Sequence, residues 1–424
     1  MPLVEIPRDY TLLVEGPSKV TVVKGKLDSF GAEIEEGEVV TVEPFRALPL
    51  YASEEAKVDL EHGKFWFVRG RTVPESWVKA AEEIASTGPK RILVVGDIDS
   101  GKTAFSTLLL NTLVREGGRK IAVIDADVGQ KSIGPPGALG MGLAERPAVS
   151  LSSVAFEDGF FIGSFTPAGL LHRAVVGALL LSRKAEALGA DTVLVDTAGW
   201  VHEWGGRELK LTEALALQPD FIVFVGAEEE LSQVYKPISG LFPSVRVDSP
   251  SVLRRRSREE RREYRRYLYR RWFSGALERI VTLDKYRLLF TLLFNGIPLS
   301  SDEVKKAESF LGSRVKFAER VENSLILFTD EAPKRDVELL KAMFSASEVH
   351  ILSGSEILYN VVAFSSREKY LEGLGIVTSL DPAGKTMRVF TTVEPKEGMV
   401  IMAGSFKLNP ISFEEILVEK TSFL

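Results

Sequence analysis

The stretch that decides the fold is RILVVGDIDSGKT, residues 91–103. Ile92 to Val95 form an unbroken apolar run, the signature of a strand covered on both faces rather than one. The run stops at Gly96, and Gly96-Asp97-Ile98-Asp99-Ser100-Gly101-Lys102-Thr103 satisfies G-x-x-x-x-G-K-[ST] without mismatch. TAFSTLLLNTLVREG, residues 103–117, then reads as a helix closed by glycine. A loop between a buried strand and a helix N-terminus is what a phosphate chain needs. Glycines let backbone N–H groups curl around the oxygens, and the helix end adds partial positive charge. Lys102 would neutralise the β- and γ-phosphates, and Thr103 would offer its hydroxyl to Mg²⁺. Gly96, Asp97, Ile98, Asp99, Ser100, Gly101, Lys102, Thr103 and Ala104 are therefore the candidate nucleotide-binding residues. Asp97 and Asp99 are expected to turn their side chains outward, leaving the backbone to make the cradle.

The pattern repeats in both directions. KIAVIDADVG (120–129), DTVLVDTAG (191–199) and DFIVFVGA (220–227) are further buried strands. GLLHRAVVGALLLSRKAEALG (169–189) and RELKLTEALALQ (207–218) are helices between them. Strand–helix alternation of this kind gives a parallel sheet with helices on both faces. The flanks differ. YTLLVEG (10–16), KVTVVKG (19–25), EVVTVEP (38–44) and KFWFVRG (64–70) are short strands punctuated by turns. A helix capped by Ser76 follows and ends at Gly88-Pro89. Beyond Leu277, LLFTLLFNGIPL (288–299), SLILFTD (324–330), EVHILSG (348–354), NVVAFSS (360–366), GLGIVTSLD (373–381), MRVFTTV (387–393) and GMVIMAG (398–404) read as β-rich. The expectation is an α/β P-loop domain with a mostly parallel sheet over residues 79–275, an N-terminal β-rich domain over 1–78 and a C-terminal β-rich domain over 276–424.

Composition narrows the function class. With 424 residues, 45% hydrophobic and 26% charged, the chain is neither disordered nor fibrous. It holds no cysteine, which excludes disulfides, thiolate metal sites and catalytic thiols. His62, His172, His202 and His350 show no paired ligand spacing, so zinc is not expected. No apolar run approaches the ~18 residues of a membrane span, and MPLVEIPRDY lacks a signal-peptide pattern. A cytoplasmic protein without a membrane partner is expected. Ten arginines and three glutamates between Arg254 and Arg271 carry +7, which leaves −13 on the rest of a chain whose net charge is −6. An acidic body with one basic segment points to a local anion site.

Three more segments carry chemistry. Asp125-Ala126-Asp127-Val128-Gly129-Gln130 ends a buried strand at the sheet edge where ligands bind. Acids there can serve Mg²⁺ or accept a hydroxyl proton, and a glutamine can orient a nucleophile. Asp196-Thr197-Ala198-Gly199-Trp200 follows the next strand, and Asp196 holds the position of a Walker B acid. Trp200 is either core or a stacking platform for a nucleobase. The arginine segment repeats at helical spacing through Arg258, Arg262, Arg265 and Arg266. It is a solvated helix, a lid whose forks meet phosphate, or a grip on an RNA backbone. No N-K-x-D or T-K-x-D sequence is present, which favours ATP over GTP.

Taken together, the P-loop, D-x-D-V-G-Q at 125–130, S-x-T-P at 164–167, T-x-G-W at 197–200 and R-S-x-x-x-R-R-E-x-R at 256–265 resemble the polynucleotide 5′-hydroxyl-kinase family. These enzymes are related to the RNA kinase of the eukaryotic pre-mRNA cleavage complex. The resemblance is strongest over residues 92–275. It implies transfer of the γ-phosphate of ATP, with Mg²⁺ or another divalent cation, to the 5′-hydroxyl of single-stranded RNA or DNA, with an RNA-processing complex as the partner. It implies roles: Lys102 and Thr103 as Walker A lysine and magnesium hydroxyl, Asp127 as the base for the 5′-hydroxyl and a metal-shell group, and Gln130 as its companion. It implies a clasp of Thr197, Gly199 and Trp200, with Trp200 stacked on the first base, a loop at Ser164, Thr166 and Pro167, and lid arginines Arg256 and Arg261. Asp196 is accessory in this comparison, and Arg46 is placed near the adenine. The alternatives are an NTPase switch, in which Gln130 orients water, or a non-catalytic ATP-binding scaffold.

Overall fold

The computed structural model describes residues 3–252, 254–330 and 337–416. The chain divides into two compact units, Met1–Leu268 and Tyr269–Leu424.

Nine strands open the first unit: β1 (Leu3–Ile6), β2 (Tyr10–Glu15), β3 (Ser18–Lys24), β4 (Leu27–Ser29), β5 (Ala32–Ile34), β6 (Val39–Val42), β7 (Ala47–Ala52), β8 (Ala56–Glu61) and β9 (Phe65–Arg69). They form two antiparallel sheets, ordered β1-β8-β3-β6 and β5-β4-β7-β2-β9. Alternating residues such as Val20, Val22, Val58 and Leu60 face Leu12, Val14, Leu48 and Leu50 in one apolar core. Helix α1 (Glu75–Thr87) follows. It begins one residue before Ser76, with Pro74 in the cap position and no side-chain cap bond, because proline's fixed φ serves the entry instead.

The central sheet contains β10 (Arg91–Gly96), β11 (Ile121–Asp125), β12 (Ala138–Ala144), β13 (Phe156–Phe161), β14 (Thr192–Asp196), β15 (Phe221–Val225) and β16 (Ser244–Val247). Its order is β13-β12-β11-β14-β10-β15-β16. The run from β11 to β16 is parallel, and β12 and β13 extend it antiparallel. α1 and α2 (Lys102–Gly117) cover one face, where Ile92, Val94, Ile121, Val123 and Leu194 meet Phe105, Leu109 and Leu113. α3 (Leu171–Ala187), α4 (Glu203–Leu217) and α5 (Glu228–Ser239) cover the other. Each buried side chain of this kind is worth about 1.5–3 kcal/mol, so the strand ends are held firmly. The register sets Asp125 beside Asp196, and Asp196 beside Val94 of the P-loop strand. Three loops that carry the sequence motifs therefore leave adjacent strands at one edge. α6 (Arg258–Trp272) is the arginine helix.

The second unit holds a mostly antiparallel sheet built on Leu277–Thr282, Asn360–Ser365, Gly373–Asp381, Thr386–Thr391 and Val400–Leu408. A four-stranded sheet, including Val315–Val321, Ser324–Thr329 and Glu348–Ser353, packs against α7 (Ser301–Leu311) and α8 (Val337–Phe344). Two features depart from the sequence reading. Residues 288–299 are not one strand: only Arg287–Leu289 and Ile297–Pro298 pair, with Phe290 and Phe294 at positive φ between them. Helices α7 and α8 are the second, since the sequence reading has no helix here, although Ser300 and Glu303 form a capping box at the start of α7.

Candidate active site

The P-loop takes the shape its sequence demands. Gly101 caps α2 at φ 100°. A Cβ there would lie 3.0 Å from both the Trp77 ring and Pro250, so only glycine fits. Lys102 is buried beneath the loop, and its ammonium donates to the Asp97 carbonyl at 2.5 Å. Burial pushes its pKa down, against the pull of Asp196 and Asp127. Thr103 donates its hydroxyl to Asp196 Oδ2 at 2.7 Å, and Ser106 donates to Oδ1 at 3.1 Å. Burial raises the Asp196 pKa to about 6, with Asp125 adding to the rise and Lys102 opposing it. Asp196 is thus wired directly to the P-loop threonine.

The two acids of the loop do not behave alike. Asp97 caps Ile98 N at 2.7 Å and meets His202 Nε2 at 2.9 Å. Asp99, at φ 56°, does not point out into solvent as the sequence suggested. Its Oδ2 pairs with Arg261 Nη2 at 2.7 Å and accepts from Arg256 N at 3.4 Å. The cause is the lid: an arginine-rich helix end supplies a buried counter-charge that water would otherwise provide.

At the end of β11, Asp125 is structural. Its Oδ2 accepts from Ser132 N and Ile133 N, and Lys131 pairs with Oδ1 at 3.1 Å in a fully buried ion pair. These bonds fold residues 126–133 into a tight loop that presents Asp127. Asp127 Oδ1 accepts from Gly129 N at 2.9 Å and Gln130 N at 2.8 Å, which aims the carboxylate. Gln130 Oε1 is buried without a partner.

Beyond β14, Thr197 donates its hydroxyl to Val94 O at 2.8 Å, so it ties the loop to the P-loop strand. Gly199 lies against the P-loop itself: a Cβ would come within 2.9 Å of Ile98 Cα and N. Trp200 is half-buried and lines the cavity, so it is not a core tryptophan. Its ring rests on α4, where a Cβ on Gly205 would reach 2.5 Å from Cη2.

The lid is riveted on three sides within the first unit. Arg254 pairs with Glu15 and Glu260, each at 2.8 Å. Tyr264 is fully buried and donates to Glu43 Oε2 at 2.9 Å. Arg46 donates to Tyr264 Oη, Lys131 O and Ser132 Oγ at 2.9, 2.7 and 3.1 Å. Arg46, which the resemblance placed near adenine, has Nε and Nη2 committed to these bonds as a strut. Arg256 lies 5.6 Å over the Tyr264 ring, and its pKa is lowered by burial and then by Arg46. Arg265 lies 4.8 Å over the ring of Phe165 in the 164–167 loop, where Ser164 and Thr166 make local turns.

These elements enclose one cavity of about 880 Å³, a volume within the range of small-molecule sites. Ile98 to Ala104, Asp127, Gln130, Asp196, Thr197, Gly199, Trp200, Arg256 and Arg261 line it. Gly96 and Asp97, which the sequence reading includes, do not line it; the Asp97 carbonyl instead accepts from the Lys102 ammonium. Among the described residues, four buried polar atoms there have no hydrogen-bond partner: Ser100 Oγ, Gln130 Oε1, Arg256 Nη1 and Arg261 Nε. Unpaired guanidinium nitrogens in a P-loop cavity are what a phosphate chain would satisfy. Thr103, Asp196 and Asp127 supply hard oxygen donors suited to Mg²⁺. Arg265, one of the helically spaced arginines of the lid segment, also lines the cavity; sequence reasoning missed Arg255, which lines it too, and Tyr264 and Lys131, which hold it together. Only the arginine density could have signalled Arg255.

Known proteins resemble the chain at this site and beyond it. Residues 96–275 match the family model described as the P-loop of mRNA cleavage and polyadenylation factor CLP1. A polyribonucleotide 5′-hydroxyl-kinase of Pyrococcus furiosus is 29% identical over 329 residues, covering 77% of this chain and 90% of that one. The polyribonucleotide 5′-hydroxyl-kinase Clp1 of Rattus norvegicus is 28% identical over 304 residues, covering 64% of this chain and 69% of that one. The solved structure of a wild-type Clp1p–Pcf11p complex superposes with a TM-score of 0.66 at 13% identity, covering 96% of this chain, which establishes a shared fold. The resemblance read from the motifs holds: residues 96–275 match that family model.

Proposed function

We propose that the chain is an ATP-dependent polyribonucleotide 5′-hydroxyl-kinase. The observation that carries this reading is one cavity in which Asp127 and two lid arginines with unpaired nitrogens face a complete P-loop. Relatives named as such kinases, matched over about three quarters of the chain, support it.

The mechanism follows from the geometry. ATP lays its phosphates along the backbone of residues 97–103, with Lys102 and Ser100 on their oxygens. Thr103 and Asp196 would hold Mg²⁺, with Asp127 close by, and when bound the ion would supply neutralising charge for the phosphates. The 5′-hydroxyl approaches Asp127. Oδ1 is occupied by two backbone N–H groups, so Oδ2 takes the proton. The 5′-oxygen forms a bond to the γ-phosphorus as the bond to the β–γ bridging oxygen breaks, and ADP departs. Arg256 and Arg261 neutralise charge on the group in transit, and Gln130, next to Asp127 in the loop, positions the nucleophile. Such arginines are worth about 10³–10⁵ in rate where they have been measured. Trp200 stacks on the first base, which suits the single-stranded end of an RNA or a DNA.

An RNA-processing complex is the proposed setting, in line with the cleavage-factor partner in the superposed complex. Three working parts are kept: residues 1–78, which brace the lid, 79–275, which carry the chemistry, and 276–424. No helix among the described residues is long and apolar enough to cross a membrane. A cytoplasmic location is proposed with the function. The test is incubation with γ-labelled ATP and matched oligonucleotides bearing 5′-hydroxyl or 5′-phosphate ends. Label on the hydroxyl end alone is expected. Release of inorganic phosphate with no labelled oligonucleotide would overturn the reading.

A further inference from the structure

Trp204 stands 79% exposed on the first turn of α4. A tryptophan so open to water presents a large, rigid stacking face with a polar edge. Its surroundings say what that face can meet. The Trp200 ring edge lies against Gly205, the residue after Trp204. Adjacent Cα atoms are about 3.8 Å apart, so Trp204 leaves the chain beside the rim of the cavity. Glu203, on its other side, lines that cavity. Arg207 follows Trp204 by three residues, which puts both on one face of the helix. Arg207 is exposed and makes no ion pair among the described residues. An indole face and an unspent guanidinium at this spacing match a base and the phosphate next to it. Glu203 and Glu208 are exposed on the same turn, so the patch is no general polyanion surface. It offers one stacking face and one phosphate donor.

We propose that Trp204 and Arg207 form a second nucleotide subsite, which binds the strand where it leaves the cavity beyond the base stacked on Trp200. The proposal rests on the kinase reading and deepens it: the substrate is a strand of at least two or three nucleotides, and a lone 5′-terminal nucleotide forgoes this contact. The occupant is single-stranded nucleic acid, by continuity with the cavity rim.

The full-length protein is compared with Trp204→Ala, Trp204→Phe and Arg207→Ala, using uridine 3′-monophosphate and 5′-hydroxyl oligouridylate of six residues. Transfer kinetics and anisotropy of the labelled hexamer with a non-hydrolysable ATP analogue are both read. Trp204→Ala should raise KM and Kd for the hexamer by roughly 5-fold or more. KM for the mononucleotide, kcat at saturation, KM for ATP and Tm should not change. Trp204→Phe should retain most of the hexamer affinity. Arg207→Ala should reduce the slope of log affinity against log salt by about 0.7, the value for one phosphate on a single strand. Unchanged hexamer affinity in Trp204→Ala overturns the proposal. An equal loss for the mononucleotide overturns it too, since Trp204 would then serve the first subsite. If the wild type binds the hexamer through Trp204 but transfers no phosphate, the subsite stands and the kinase reading fails.

Discussion

Replacing Asp127 by asparagine separates the base from the scaffold that aims it. The carboxylate uses Oδ1 to accept from Gly129 N and Gln130 N at 2.9 and 2.8 Å. The asparagine amide oxygen can accept both bonds, so the loop geometry survives. What changes is their charge. A hydrogen bond to a charged group contributes about 1.5–3 kcal/mol and a neutral one about 0.5–1.5, so two bonds together lose about 2–3 kcal/mol at most. Solvent contact at this half-buried site brings that down, and a fall in Tm of a few degrees is expected. Catalysis loses far more. The Oδ2 position becomes an NH₂ group that cannot take a proton, and general-base contributions run at about 10²–10⁴ in rate. The assays are single-turnover phosphate transfer to a 5′-hydroxyl oligonucleotide, ATP binding by titration, and a thermal melt on the same preparation. A fall in kcat in that range with ATP affinity retained is predicted. If ATP·Mg²⁺ binding collapses instead, Asp127 is chiefly a metal-shell group. If transfer persists within a few-fold of the wild type, it is not the base.

Three further predictions follow from the same contacts. Lys102→Ala should abolish transfer while the fold survives, because the ammonium serves phosphate charge; near-normal transfer by a folded variant would remove the lysine from the mechanism. Trp200→Ala should raise KM for the oligonucleotide, by about 1–3 kcal/mol in binding terms, irrespective of the terminal base. A large drop in Tm with KM unchanged would instead make Trp200 a packing residue. Asp196 has a folded pKa of about 6, above its unfolded value of about 3.9, so the ionised form destabilises the ligand-free protein. That penalty, on the order of 3 kcal/mol, is fully present above pH 6 and fades as pH falls from 6 toward 4. In chelator, Asp196→Asn should therefore raise Tm at pH 7.5 (a test condition of about that value) and flatten the rise in stability seen on mild acidification. A pH profile identical to the wild type would show that Asp196 is not the group responsible.

Much of the central domain is legible in sequence because its strands are buried on both faces and read as apolar runs. β10, β11, β14 and β15 are all of this kind. β12 is not, although it is fully integrated in the sheet. Gly140 and Gly142 break its pattern, and they are there because a Cβ would come within 2.0 Å of Ile133 O and 2.4 Å of Ala155 O. A close approach between distant segments thus looks like a turn when read locally. α5 was missed for a related reason: Pro237 near its end and three glutamates at its start resemble a loop. At the site, the P-loop, Asp127, Trp200 and the lid arginines were each visible as local motifs. Their joints were not. The Arg261–Asp99 pair spans 162 positions and the Tyr264–Glu43 bond 221, and no spacing rule connects residues so far apart. Asp196 is accessory by family resemblance, and its bond to Thr103, 93 residues earlier, is equally beyond any local motif.

The central claim is that the γ-phosphate goes directly to the 5′-oxygen of a polynucleotide. Mass analysis of a 5′-hydroxyl RNA oligonucleotide after reaction with ATP, with ADP quantified in parallel, tests it most directly. The account predicts one added phosphate at the 5′ end for each ADP formed, and none with Lys102→Ala. ADP and inorganic phosphate in equal amounts with an unmodified RNA end would contradict it.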